Sequence, residues 1–418
     1  MSEIGGMTIQ KLIENHGTPL VVYDERALRD KLELFTNHFK SDSIETDVIY
    51  ASKAFNCKAM ISLASEYGCC LDVVSGGELY TAYKAGYDCS KIFFHGNNKT
   101  PDEIKMALDF GVGTIIIDNE MEAAELVKQI QGTDKTVNVL LRVNPGIEAH
   151  THEYIVTAHV DSKFGISMID EDEIVNVIRM LESCDNITYE GLHAHIGSQI
   201  FDKKAFVELV RKMFAFAAKL KNEYGIDSRS FDFGGGFAAL YTDEDHPIPI
   251  DEVCAEILNT CEEENQKINN QIRRVCIEPG RSIVAEAGYN LYTVGYIKKT
   301  PNKLYAFVNG GMSDNIRPAL YQAKYDAFID GKESEESCAD YTIAGKCCES
   351  GDILIQSISL PEVKTGDILV MKTTGAYGYS MASHYNKLAL PAVVFVKDGQ
   401  AREVIERETY DHLISLEK

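Results

Sequence analysis

The 418-residue sequence has no CxxC pair and no apolar run near the roughly 20 residues a membrane helix needs, and it carries 41 basic against 64 acidic residues. Each shortage excludes something. Eleven cysteines without framework or metal-ligand spacing read as scattered reduced thiols, not as a disulfide scaffold. Without a long apolar run, no membrane span is expected. A formal charge of −23 repels nucleic acid and anionic membrane, so neither is an expected partner. The acidic runs "ESEES" (333–337) and "CEEEN" (261–265) are expected to be solvated faces. The N-terminal "MSEIGGMTIQ" has neither a basic segment nor an apolar one, so no signal peptide is expected and the expected location is cytoplasmic. A nucleophile elbow, a Walker phosphate loop and a GxGxxG fingerprint are all missing, as are internal repeats and low-complexity linkers.

What is present is a rhythm. Short apolar runs alternate with helical patterns: "DVIYAS" (47–52), "CLDVVS" (70–75), "IFFHG" (92–96), "TIIID" (114–118), "VNVLLRVN" (137–144), "ITYEGLHAHIG" (187–197), "SFDFGG" (230–235) and "RVCIEPG" (274–280). Between them lie stretches such as 204–225, with apolar residues three and four apart. Continuous β-branched runs point to strands buried on both faces, hence a parallel sheet. Eight strand–helix units have the size of a (β/α)8 TIM barrel; a doubly wound open sheet is the alternative, and eight units favour closure. After about residue 285, short strand-like pieces separated by turns predict an antiparallel β-barrel or sandwich domain. The strand "TPLVVYD" (18–24) is expected to pair with it. The predicted division is a barrel over 28–284 and a β-domain built from 1–27 and 285–418.

Barrel enzymes place their chemistry at the C-terminal ends of the strands. Here those ends carry Lys53, then Ser75–Gly76–Gly77–Glu78, His95–Gly96–Asn97, Arg142–Val143–Asn144–Pro145, His195–Ile196–Gly197–Ser198, Gly234–Gly235–Gly236 and Glu278–Pro279–Gly280–Arg281. Singly, each has a bland explanation. A strand-end lysine commonly marks emergence into water, the glycine triplet could be a turn, and Glu278 could pair with Arg281 across Pro279–Gly280. His193 and His195, two apart on a strand, should point the same way, but no third ligand stands at metal-site spacing, so no metal is expected. "HTH" (150–152) likewise reads as loop histidines. Together, an amine at a barrel mouth, a glycine cradle for a phosphate, a stackable imidazole and a buried carboxylate describe a pyridoxal-phosphate site. There the lysine forms a Schiff base and the carboxylate pairs with the pyridine nitrogen.

The same stretches carry a resemblance. "YASKAF" (50–55), "DVVSGGEL" (72–79), "FHGNNK" (94–99), "RVNPG" (142–146), "HTHEYI" (150–155), "DSKFGI" (161–166), "GLHAHIGSQ" (191–199), "DFGGGF" (232–237), "EPGRS" (278–282), "GGMSDNIRPALY" (310–321), "CESGD" (348–352) and "TTGAYGYSMASHYN" (373–386) follow one another in order. Over essentially its whole length the chain resembles the alanine-racemase-fold decarboxylases, and within them the diaminopimelate decarboxylases. The resemblance implies pyridoxal 5'-phosphate on Lys53, His195 stacked on its ring, and Ser198 and Gly234–Gly236 near its phosphate, with Pro279 and Gly280 beside them. Glu278 would hold the ring nitrogen. Arg281, Arg317 and Tyr321 would meet the substrate, Glu349 its distal amino group, and Tyr377 both cofactor and substrate. Cys348 would donate the proton to Cα; Cys347 beside it is expected to pack. The Cys348–Glu349 segment would come from the partner subunit of a homodimer with shared active sites.

The implied reaction converts meso-2,6-diaminopimelate to L-lysine and CO2. An acid at the ring nitrogen strengthens the electron sink, which favours decarboxylation over racemisation. Decarboxylation of ornithine, arginine or carboxynorspermidine is the nearest alternative, and a non-catalytic relative is a further one. Three residues depart from the family pattern: Asn309 where aspartate is expected, Lys346 for proline, and His384 for asparagine.

Overall fold

The computed structural model describes residues 2–147 and 162–418, so the "HTHEYI" stretch and the first residue of "DSKFGI" lie outside the described residues. The chain forms two compact units, one of 32–238 with 247–280 and the other of 1–31, 239–246 and 281–418.

The first unit is a closed barrel of eight parallel strands: β1 (Glu45–Ala51), β2 (Cys70–Val73), β3 (Ile92–Phe94), β4 (Thr114–Ile117), β5 (Val137–Asn144), β6 (Ile187–His193), β7 (Ser230–Asp232) and β8 (Arg274–Ile277). Each pairs with the next, and β8 returns to β1 through Val275 opposite Thr46. The strands stop two to four residues before most of the apolar runs do, because the polar residues that follow turn into loops. The loops after β2, β3 and β4 are short and chemically closed. Ser75 caps the helix Gly76–Lys84, Asn119 caps Glu120–Ile130, and Thr100 forms a capping box with Glu103 ahead of Pro101. Side-chain oxygens thus take the N–H groups a helix start leaves free, which fixes the rim.

The second unit is a mixed, mainly antiparallel sheet. Strands follow the order Ile353–Leu360, Ala339–Ala344, Leu304–Val308, Gly288–Lys299, Leu20–Asp24, Ala392–Lys397, Gln400–Ile405, and Ile368–Met371 also pairs with Gly288–Lys299. Leu20–Asp24 lies between Gly288–Lys299 and Ala392–Lys397, antiparallel to the first and parallel to the second. A second parallel pair joins Leu304–Val308 to Ala339–Ala344. Leu20, Val22, Leu291, Val370, Val394 and Val396 pack under one face with Ile9 and Leu12 of the helix Ile9–His16. All eleven cysteines are free thiols, nine of them buried, with Cys338 and Cys348 exposed. Among the described residues no helix is long and apolar enough to cross a membrane.

Candidate active site

Side chains alternate along a strand, so residues two apart share a face. Ile49, Cys70, Phe93, Ile116, Leu140 and Cys276 come from six barrel strands and form one buried apolar cluster, the filling of the barrel. Two residues further along the same strands stand Ala51, Asp72, His95, Asp118, Arg142 and Glu278. One step toward the C-terminal rim therefore exchanges an apolar layer for an ionisable one. Asp72, His95, His193, Asp232 and Glu278 are all at most 4% exposed.

Glu278 is the hub of that layer. Its Oε1 lies 2.8 Å from His95 Nε2 and 3.4 Å from His193 Nε2, and the two rings meet edge to face. Burial alone would push this carboxyl up, but the two imidazoles hold it well below the usual carboxylate range. Asp232 goes the other way: burial first, then the neighbouring Glu278, push it well above that range. Burial lowers His193 to about 4, so its ring is neutral at pH 7. His95, His193, Asp232 and Glu278 place one donor atom each within 4.8 Å of one another. This grouping corrects the expectation drawn from spacing: β6 ends at His193, so His193 joins the buried cluster while His195 lies beyond the strand in the loop.

Lys53 sits in the single turn Ser52–Ala54 that follows β1. Its side chain is 41% exposed, and its Nζ is 3.4 Å from Oδ2 of Asp72, which is fully buried. Ser52, buried, donates to the Asp72 carbonyl at 2.7 Å and so fixes the turn beneath the amine. His195 is half-buried, and its Nδ1 accepts the Gly235 N–H at 3.1 Å. Burial and then the Lys53 ammonium lower His195 to about 3, in keeping with a neutral ring that accepts at Nδ1. Ser198 is exposed in the same loop.

The glycine triplet is not a loose turn. Gly234 has φ +66°, and a Cβ there would stand 2.8 Å from the Ala194 carbonyl oxygen; one on Gly235 would stand 2.3 Å from that of Glu278. Gly234 N–H donates to Asp232 at 2.9 Å, and Glu278 N–H donates to the Gly234 carbonyl at 2.8 Å. The turn and the Glu278 backbone are therefore one hydrogen-bonded piece, reached before Pro279 and Gly280. Gly280 itself packs against Ala51, where a Cβ would come within 2.9 Å. A reachable amine over a buried carboxylate, a second buried carboxylate with an unpartnered Oε1, and a turn that excludes Cβ atoms fit pyridoxal phosphate.

The second unit holds its own cluster. Arg281 donates from Nη1 to Tyr241 Oη at 2.6 Å, and its Cζ lies 4.9 Å from the Tyr377 ring centre. Arg317, 8% exposed, donates from Nε to Tyr325 Oη at 2.9 Å and lies 5.5–6.0 Å from the rings of Tyr321, Tyr377 and Tyr241. Tyr377 has φ +60°, and Tyr321 is 58% exposed. Two guanidinium groups are thus held among tyrosine faces.

Cys348 and Glu349 are exposed on a loop whose backbone is pinned from both sides. Asp352 takes the N–H of Cys347 and of Met312, each at 2.7 Å, and Asn386 takes that of Cys348 at 2.7 Å. Cys347 is buried against this anchor. The three departures also find places. Asn309 accepts the Thr293 N–H and donates to the Thr18 hydroxyl, a donation that a carboxylate could not make. His384 pairs with Glu408 at 2.7 Å, and Lys346 is exposed.

Asp72, Asp232, Tyr241, Tyr325 and Asp352 were not singled out from the sequence. For the first two a signal existed: an aspartate inside an apolar strand run, "CLDV" or "SFDF", is rarely buried without a partner. The tyrosines had none, since nothing local tells a tyrosine that holds an arginine from one that packs.

Residues 25–285 match the pyridoxal-binding domain of the pyridoxal-dependent decarboxylases. The chain is 47% identical over 416 residues to the diaminopimelate decarboxylase of Bacillus subtilis, covering 99% of this chain and 94% of the relative. Among solved structures it resembles diaminopimelate decarboxylase from M. jannaschii in complex with L-lysine, at 32% identity, with a TM-score of 0.91 and coverage of 100% and 99%. The Helicobacter pylori diaminopimelate decarboxylase with L-lysine is similar at 32% identity, with a TM-score of 0.87 and 98% of each chain covered.

Proposed function

The chain belongs to the diaminopimelate decarboxylases, a family of pyridoxal-phosphate-dependent carboxy-lyases, and from that premise we propose how its residues divide the work. The reaction is loss of CO2 from meso-2,6-diaminopimelate to leave L-lysine, the closing step of lysine biosynthesis. The observation that carries it is the near-full-length match to enzymes of that name; the two solved relatives hold the product. When bound, pyridoxal phosphate supplies an electron sink for the charge left at Cα as CO2 departs.

The protein's own groups do the rest. Lys53 Nζ holds the cofactor, and Asp72 beneath it orients the amine. Glu278, kept ionised among His95 and His193, would hold the ring nitrogen and favour its protonated form. His195, kept neutral by burial and the nearby Lys53 and oriented by the Gly235 N–H at its Nδ1, would stack on the ring without adding charge. Gly234 and Gly235 spend their N–H groups on Asp232 and His195; the glycine turn, Ser198 and the Pro279–Gly280 turn would lie near the phosphate. Arg281 and Tyr377 meet cofactor and substrate, Arg317 and Tyr321 grip a substrate carboxylate, and Glu349 takes the distal amino group. Cys348 delivers the proton to Cα from its Sγ.

The exposure of Cys348 and Glu349 on their own chain supports a homodimer in which each subunit lends this loop to its partner's site. The division into a cofactor barrel (28–284) and a substrate- and dimer-contacting β-domain (1–27 and 285–418), and a cytoplasmic location, belong to the same reading. The test is the purified protein with pyridoxal phosphate, offered meso-diaminopimelate, ornithine, arginine and D-alanine separately. Lysine and CO2 are expected from the first alone; turnover of ornithine without turnover of diaminopimelate overturns the assignment.

A further inference from the structure

Among the described residues of the barrel unit, four buried carboxylate oxygens lack a hydrogen-bond donor, Asp72 Oδ1, Glu122 Oε1, Asp232 Oδ2 and Glu278 Oε1, and the last two belong to one cluster. Asp232 Oδ2 and Glu278 Oε1 are fully enclosed, and neither has a hydrogen-bond partner among the described residues. Asp232 Oδ1 is already occupied by the Gly234 N–H. His95 Nε2 comes within 2.8 Å of Glu278 Oε1, but off the line a ring N–H would take. A carboxylate oxygen of Asp232 and one of Glu278 lie within 4.8 Å of each other. Two enclosed carboxylates that close strongly disfavour ionising together, and leaving both acceptors unmet would cost the desolvation of each. One proton between them satisfies both.

We propose that Asp232 is a positioning residue that stays protonated at neutral pH and donates from Oδ2 to Glu278, tying that carboxylate to the glycine turn. The role rests on the assignment of Glu278 to the cofactor ring nitrogen. The groups around the pair decide which member keeps the proton. His95 and His193 face Glu278 and favour its charge. Asp72 on β2 adds negative potential at Asp232, while Arg142 on β5 stands in the same layer. Lys53 is taken up by Asp72. Asp232 reaches both parts of the site at once: Oδ1 fixes Gly234, whose neighbour Gly235 holds His195, and Oδ2 fixes Glu278. It touches neither cofactor nor substrate in this account; it sets the angle between the groups that do.

The test separates a neutral donor from a charge. Asp232→Asn keeps an acceptor for Gly234 and an N–H for Glu278, whereas Asp232→Ala keeps neither. Infrared spectra of the cofactor-free protein at about pH 8 should show a protonated-carboxyl band that Asp232→Asn lacks. With cofactor, Asp232→Asn should stay within about threefold of the wild-type kcat. Asp232→Ala should lose about tenfold or more in kcat at little changed KM, with a shifted cofactor absorbance. Should the alanine variant not fold, the infrared band and the asparagine kcat decide. A missing band overturns the inference, as does an asparagine variant crippled as badly as the alanine one, since either makes Asp232 a charge. A stoichiometric divalent ion in the purified protein would do the same. A wild-type protein that shows the band but does not decarboxylate diaminopimelate would instead remove the function on which the positioning role rests.

Discussion

Glu278 and Arg317 are both nearly buried ions, at 4% and 8% exposure, and the protein treats them in opposite ways. Glu278 stands against His95 and among other titratable groups, so its charge depends on where protons rest on His193 and Asp232. Arg317 stands among tyrosines, which take its N–H and cover its faces but cannot take its proton. A carboxyl titrates within reach of its surroundings; a guanidinium does not. The barrel cluster therefore controls a protonation state, and the tyrosine cluster controls a direction. That suits the division proposed above, in which one handles electrons at the ring and the other recognises a carboxylate.

The comparison can be broken at three places. Lys53→Ala should have the largest effect: no cofactor absorbance in the visible range and no turnover, because Lys53 is the one described lysine paired with Asp72. A variant that still bound and turned over at normal rate would move the site elsewhere. Arg317→Lys comes next. Lysine keeps the charge but loses the Nε–H bond to Tyr325 and the planar faces, so KM for diaminopimelate should rise about 30-fold, roughly 2 kcal/mol, with a smaller change in kcat. A fall in kcat at constant KM would mean that Arg317 works on chemistry and not on direction.

The smallest effect concerns Glu78, at the start of the helix after β2. Burial, then Asp72, raise its carboxyl from 4.5 to about 7. The folded state then holds this proton more tightly than the unfolded chain, so stability falls as pH rises from about 4.5 to 7. Glu78→Gln keeps an acceptor for the Val74 N–H and removes that loss. Denaturant titrations should find the variant more stable than wild type at pH 8 by up to about 3 kcal/mol, with no gain near pH 4. An equal gain at both pH values would trace the effect to packing.

Much of the barrel is legible in the sequence because its strands are buried on both faces and so appear as unbroken apolar runs. Lys53, His195 and Glu278 are legible because each run breaks at a titratable residue. Asp72 and Asp232 are harder, because a single acid inside a run leaves the hydrophobic pattern almost intact. Their meaning depends on neighbours brought in from other strands by closure. Tyr241 is harder still. It falls between barrel elements in the chain, yet 239–246 pack with the second unit, and no local pattern marks such an excursion. The histidine pair misleads for a related reason: strand alternation holds only as far as the strand does, and β6 ends at His193.

The apolar filling of the barrel has a consequence beyond stability. Ile49, Phe93, Ile116 and Leu140, with the thiols of Cys70 and Cys276, form a dry floor one step beneath the ionisable layer. Burial pushes the Cys70 thiol up to about 12, so it neither gives nor takes a proton there at neutral pH. Toward the other end of the strands, Arg274 and Asp47 pair at 2.6 Å, each about a third exposed. The apolar floor offers the Glu278 cluster no titratable partner with which to exchange a proton at neutral pH. Proton traffic within the cluster is thus a matter for the ionisable layer and for what binds above it, not for the filling below.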